Sequence, residues 1–284
     1  MTYTIKIQPT NDGILLDHNP MPLALGNRKP KNTWQPWQEI QREAEVLIQQ
    51  EPAIRQMVEE TILNHDSISG AIAFRLASKL AGPDATAETL FSAFASAFDM
   101  DPDLEKFVLL DILAVKERDP ACNNLLQPII FFKGFLALQA HRIAHSFWTN
   151  GRCDLARFIQ AQVSENFTVD IHPAARIGHG VMLDHAHSVV IGETAVIGDN
   201  ASILHSVTLG GTGKEEKDRH PKVGDDVTIG AGATILGNIK IGDQAKVAAG
   251  SVVLKGVSAA ETVAGVPAKP MYRVQDLIAG ALSG

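Results

Sequence analysis

Two hydrophobic periods divide the chain. From Trp34 to about Phe167 the apolar residues recur at helical spacing, as in DLEKFVLLDILAVKER (103–118), with Asp101 and Pro102 just ahead suited to the N-cap and first turn. FFKGFLALQAHRIAHSFW (131–148) continues the pattern. His141 and His145 stand at i, i+4, a spacing that suits a metal pair; no carboxylate or third ligand lies nearby in sequence, so they are read as flanking a packed helix face. Beyond Asp170 a six-residue period takes over. Aliphatics stand at Ile171, Ile177 and Leu183, then at Ile191, Ile197, Ile203 and Leu209, then at Val223, Ile229, Ile235, Ile241, Val247 and Val253. Such a hexad predicts a parallel β-helix, in which three short strands make a coil and stacked coils bury the aliphatic ladder. The expected class is α+β: a polar, proline-punctuated arm without a motif (1–33), an α-helical domain (34–167), a β-helix (168–270) and a tail (271–284).

The hexad slips twice, where the spacing widens to eight residues between Leu183 and Ile191 and to fourteen between Leu209 and Val223. Extra residues in a solenoid leave it as loops, commonly on a binding face. Three hexads make a coil, so residues eighteen apart stack: Ala231 under Ala249, Gly232 under Gly250, Lys222 under Lys240. Allowing for the first slip, His185 lies under His205. Stacked small residues, GAGAT one coil below AAGSV, predict a shallow groove for a long, thin ligand.

Composition narrows the field. A net charge of −7 argues against general nucleic-acid binding, and no apolar run approaches the roughly 20 residues of a membrane span. The start of the chain lacks a basic segment followed by an apolar core, and Cys122 and Cys153 show no metal-ligand spacing, so a reduced, cytoplasmic protein is expected. Six of the ten histidines fall between His172 and His220, beside both slips.

The strings RDPA (118–121), KGFLALQAHRIAH (133–145), VDIHPAARIGHGVMLDHA (169–186), IGETAVIG (191–198), SVTLGGTGK (206–214), DRHPKVG (218–224), IGAGATILGNIKIG (229–242) and AGVPAK (264–269) resemble the serine O-acetyltransferases, a branch of the hexapeptide-repeat acyltransferases. The resemblance implies a left-handed β-helix with a helical N-terminal domain used for assembly, as a trimer and then a hexamer of two trimers. It implies acetyl transfer from acetyl-CoA to the hydroxyl of L-serine, with no metal, giving O-acetyl-L-serine for cysteine biosynthesis, and inhibition by L-cysteine. By family analogy His185 is the general base and Asp170 the carboxylate that orients it. Arg219 grips the substrate carboxylate through a two-pronged hydrogen bond and His220 touches the same substrate, while Asp119 and Asp184 receive its ammonium. Gly211, Ala231 and Ala249 match the groove for acetyl-CoA, and Lys246 suits its phosphates. Many family members end in an isoleucine-terminated tail that enters O-acetylserine sulfhydrylase. This chain ends QDLIAGALSG, so the resemblance does not carry that partnership over.

Three other readings compete. A hexapeptide acyltransferase with another small acceptor shares the fold; Arg219 with Asp119 and Asp184 favours a zwitterion over a sugar. A zinc enzyme like the trimeric carbonic anhydrases would use imidazoles among His179, His185, His187 and His205. A scaffold without catalysis would have no use for His185, Asp170 and Arg219 together.

Overall fold

The computed structural model describes residues 7–10, 13–16, 35–214 and 216–271. Among the described residues eight α-helices precede the β-helix: α1 (Pro36–Gln50), α2 (Arg55–Val58), α3 (Ile68–Leu80), α4 (Ala87–Met100), α5 (Asp103–Arg118), α6 (Leu126–Phe131), α7 (Lys133–Thr149) and α8 (Cys153–Phe167). The α5 helix starts just after Pro102, which takes the N-cap position that the sequence pattern assigns to Asp101, and the Asp101 carboxylate, one residue earlier, accepts the Asp103 N–H at 3.2 Å. Before the helices, β1 (Ile7–Thr10) and β2 (Gly13–Leu16) form an antiparallel hairpin in the stretch read as a motif-free arm. The overlooked signal is Asn-Asp-Gly just ahead of Ile14-Leu15-Leu16, a turn signature beside an apolar run. The rest of the arm and the tail from 272 lie outside the described residues.

The second half is a parallel β-helix of hexapeptide repeats. Its first coil holds β3 (Val169–Ile171), β4 (Arg176–Ile177) and β5 (Met182–Leu183), and its second β6 (Val189–Ile191), β7 (Val196–Ile197) and β8 (Ser202–Ile203). The third holds β9 (Thr208–Gly210), β10 (Lys222–Val223) and β11 (Thr228–Ile229), and the fourth β12 (Thr234–Leu236), β13 (Lys240–Ile241) and β14 (Lys246–Val247). The last strands are β15 (Val252–Val253), β16 (Thr262–Gly265) and the antiparallel β17 (Ala268–Pro270). Strands β3, β6, β9, β12 and β15 form one face, β4, β7, β10 and β13 a second, and β5, β8, β11, β14, β16 and β17 a third. Registers follow the hexad: Lys222 pairs with Lys240, Leu183 with Ile203 across the first slip, and Leu209 with Ile235 across the second. Every ladder aliphatic is buried except Ile177, which is partly buried against the same core.

A buried ion pair joins the halves. Asp111 on α5 takes hydrogen bonds from Arg142 Nε (2.8 Å) and Nη2 (3.0 Å), Gln139 Nε2 (2.9 Å) and the Val181 N–H (2.9 Å). Arg142 also donates to the carbonyls of Ile177 and Gly178 in the first coil. Each charge is desolvated, and each is fully partnered, which is the condition under which burial is tolerated.

Candidate active site

The first slip forms the loop Asp184–Ser188, and its backbone is unusual. His185, Ala186 and Ser188 all have left-handed φ, +54°, +56° and +56°, at about 1–3 kcal/mol per non-glycine residue. The three higher corners on the same edge use one left-handed residue each, Ser206, Gly232 and Gly250. The loop projects the His185 ring into solvent, 71% exposed, with Asp184 Oδ1 3.7 Å from its Nε2. The stacked His205 meets it edge to face at 5.9 Å. Above them Gly232 N–H donates to His205 O and Gly250 N–H to Ala231 O, so His185, His205, Ala231 and Ala249 form one column. At the usual strand spacing three coil steps span about 14 Å, the scale of an extended pantetheine arm. A Cβ at Gly230 would lie 2.5 Å from Ala249 N, so backbone packs against backbone along this edge. Lys246 is exposed on β14 near its far end.

Asp119 is tied to the same side of the β-helix. Beside it, Arg118 donates to the carbonyls of Gly180, Asn200 and Ala201 and to Ser202 Oγ. Val115 and Cys122, on either side of it, cluster with Met182 on β5, the strand that leads into Asp184. Asp119 Oδ1 accepts the Ala121 N–H at 2.8 Å, so part of this carboxylate serves the turn that ends α5.

Arg219 and His220 lie at a different corner, between β9 and β10, stacked on the corner between β6 and β7. His220 is buried, 7% exposed, over Gly192, where any Cβ would overlap its ring. Its Nδ1 faces the Thr194 N–H (3.1 Å) and Oγ1 (2.8 Å), and that oxygen accepts the N–H groups of Arg219 (3.0 Å) and His220 (3.1 Å). Because a backbone N–H donates to Nδ1, the ring proton sits on Nε2. The Arg219 guanidinium is already engaged: Nη2 donates to Glu193 Oε2 at 2.7 Å, and Nη1 to the carbonyls of Glu216 and Lys217. That hydrogen bond, more than Coulomb attraction, holds the Glu193 carboxyl below its ordinary range. Gly211 lies against the Arg219 stem, 3.4 Å from its Cγ to an added Cβ.

Two of these residues have partners of their own within the chain. Arg219 Nη2 donates to Glu193 Oε2, because the insertion folds back over the corner that carries Glu193. Asp170 does not touch His185 within the chain: its carboxylate accepts from Gln160 Nε2 on α8 at 2.6 Å, and among the described residues no ion pair joins it to the imidazole. Asp170 projects from the middle of β3 toward α8, whereas His185 stands on the corner between β5 and β6. Glu193, Thr194 and Gln160 were not singled out; IGET offered the first two, while Gln160 had no signal.

Nor do the imidazoles converge as a zinc set. His179 pairs with Asp199 (3.4 Å) and His187 with Lys133, and among the described residues no three His, Cys, Asp or Glu side chains are grouped to hold a metal. No helix among them is long and apolar enough to cross a membrane.

Burial makes several of these rings acid-sensitive. Desolvation, followed by neighbouring positive charge, pushes His220 below the ordinary imidazole value; desolvation does the same at His172, and far more at His141. Below about pH 6.5 the unfolded chain therefore binds more protons than the folded one, and stability rises with pH across that window. Urea midpoints should be lower at about pH 5.5 than at about pH 7.5. A midpoint unchanged or higher at the acid pH would mean these rings are not held neutral.

Comparison with known proteins places this architecture. Residues 37–140 match the family model "Serine acetyltransferase, N-terminal", and residues 220–255 the bacterial transferase hexapeptide model. Over 264 residues the chain is 48% identical to serine acetyltransferase 4 of Arabidopsis thaliana, covering 93% of this chain and 71% of that protein. A crystal structure of Neisseria gonorrhoeae serine acetyltransferase in complex with serine has a TM-score of 0.82 at 50% identity, covering 84% of this chain and 98% of that one. One from Brucella abortus in complex with coenzyme A has a TM-score of 0.82 at 48% identity, covering 83% and 94%.

Proposed function

Because the chain belongs to the serine acetyltransferase family, acyltransferases with a helical N-terminal part and a hexapeptide β-helix, we propose that it transfers acetyl from acetyl-CoA to the hydroxyl of L-serine, giving O-acetyl-L-serine and CoA. The observation that carries this reading is the loop after Leu183, where three left-handed residues set an exposed imidazole beside a carboxylate at the end of a groove of small residues. His185 takes the hydroxyl proton as the serine oxygen attacks the acetyl carbonyl. Collapse of the tetrahedral adduct expels the CoA thiolate, which receives that proton from the imidazolium. The acetyl group passes directly between the two substrates: burial pushes the Cys122 thiol up and away from reactivity, and Cys153 lies on α8, apart from the groove.

Asp184 and Asp119 receive the substrate ammonium, and Arg219, braced by Glu193 and His220, its carboxylate. Gly211, Ala231 and Ala249 line the path of acetyl-CoA, with Lys246 toward its phosphates; relatives of known structure carry serine or coenzyme A. Within one chain the imidazole and the guanidinium occupy different corners of the coil, on either side of β6. A neighbouring chain in a closed ring brings unlike corners together, and this supports a trimer, with the helical halves joining two trimers into a hexamer. Asp170 meets the imidazole in that assembled, substrate-bound enzyme. Product use in cysteine biosynthesis, restraint by L-cysteine and a cytoplasmic location complete the reading. Thiol release from acetyl-CoA with L-serine, D-serine, L-threonine and L-homoserine tests it: L-serine should be preferred by at least about tenfold in kcat/KM, as expected when buried polar groups match one acceptor. Equal or greater turnover of another acceptor, or none with L-serine, would refute it.

A further inference from the structure

We propose that Lys133 and Gly134, the first two residues of α7, are positioning residues for His185. The proposal rests on the reading of His185 as the base. The loop that carries His185 concentrates left-handed backbone, so it needs outside support to hold one geometry. The β-helix supplies part of it: Asp184 N–H donates to Ile203 O, Ser206 N–H to His187 O, and Ser188 N–H to Thr168 O.

The rest comes from α7. Gly134 is buried where the helix backbone presses on the entrance to the loop; a Cβ there would overlap the Leu183 carbonyl oxygen and lie 3.0 Å from Ala186 Cβ. Ala186, the residue after His185, is fully buried beneath it. Lys133 closes the other side. Its ammonium donates to Phe167 O (2.9 Å), Thr168 Oγ1 (2.9 Å) and His187 Nδ1 (2.5 Å). All three protons are used, and three segments are joined: the end of α8, the start of α7 and the loop two residues past His185. An ammonium only donates, so His187 accepts at Nδ1 and keeps its own proton on Nε2. His185 is thus gripped on both flanks while its ring stays free.

Lys133→Met keeps the stem and removes all three donors. It should lower kcat about 10- to 100-fold, the penalty of an ångström-scale misplacement, and leave KM for acetyl-CoA within about twofold. In a His185→Ala background the same change should cost less than about twofold, because it acts through the imidazole. Hydrogen exchange at the Ser188 and Ser206 amides should quicken by at least about tenfold without a comparable change across α3 and α4. His187→Leu, which removes only the acceptor, should reproduce these effects, and His187→Asn, which restores an acceptor near Nδ1, should recover most of the rate. A kcat above half of wild type in both Lys133→Met and His187→Leu, or an equal loss with and without His185, overturns the proposal. If His185→Ala itself kept the wild-type rate, the base assignment would fall. Exchange at Ser188 and Ser206 would then decide the support role alone, unchanged exchange overturning it and faster exchange sustaining it.

Discussion

His185→Ala will lower kcat by about 10²- to 10⁴-fold, the usual contribution of a positioned general base. A serine hydroxyl is a poor nucleophile at neutral pH, and of the two exposed imidazoles on the loop at the head of the groove His185 has a carboxylate 3.7 Å away, whereas His187 is bonded to Lys133. The carboxylates should matter less, and unequally. Asp170→Asn preserves the shape and removes one charge from a residue whose contact within the chain is Gln160, so its loss should be the smaller of the two. Steady-state rates for both variants, with folding checked by circular dichroism, settle the ranking. A His185→Ala enzyme near wild-type kcat, or an Asp170→Asn enzyme damaged more severely, would show that the proton leaves by another route.

Arg219→Lys should raise KM for serine, and Ki for L-cysteine, by the same factor of about 10 to 100, the worth of one to two hydrogen bonds to a charged group. The guanidinium is locked by Glu193 on one side and by two carbonyls on the other, a planar geometry that a lysine ammonium does not reproduce. The corner beneath it is equally exacting, since Thr194 spends its backbone and hydroxyl on His220 and Arg219. L-Cysteine has the same carboxylate and ammonium as serine, so this machinery cannot separate them. A thiol is far more acidic than an alcohol, and beside His185 it would be held as a thiolate against an imidazolium, an attraction the ground-state serine hydroxyl lacks. Cysteine should therefore bind more tightly than serine and compete with it. Inhibition patterns against varied serine, in wild type and Arg219→Lys, check both points. Inhibition that serine does not relieve, or a Ki untouched by the substitution, would place cysteine elsewhere.

The architecture was legible because burial in a β-helix is periodic and local. Each ladder aliphatic needs only the residues one coil above and below, so the hexad, its two slips and the stacking of His185 under His205 are all legible in the sequence. Helical spacing likewise located the helical half, and Asp101 with Pro102 the start of α5 to within a residue. The hairpin at Ile7–Leu16 escaped because two four-residue strands carry too few positions to establish a period. Tertiary structure alone decided which polar groups meet. Glu193 lies 26 residues from the Arg219 it engages, and Lys133 54 from His187. Such pairs depend on how an insertion folds back or where a helix lands on a coil, and a side-chain pair of this kind leaves no repeating trace. The same holds for the separation of His185 from Arg219. Both were recognisable as residues, but the faces on either side of β6 put them on different corners, and only the closed triangular path of the backbone determines that.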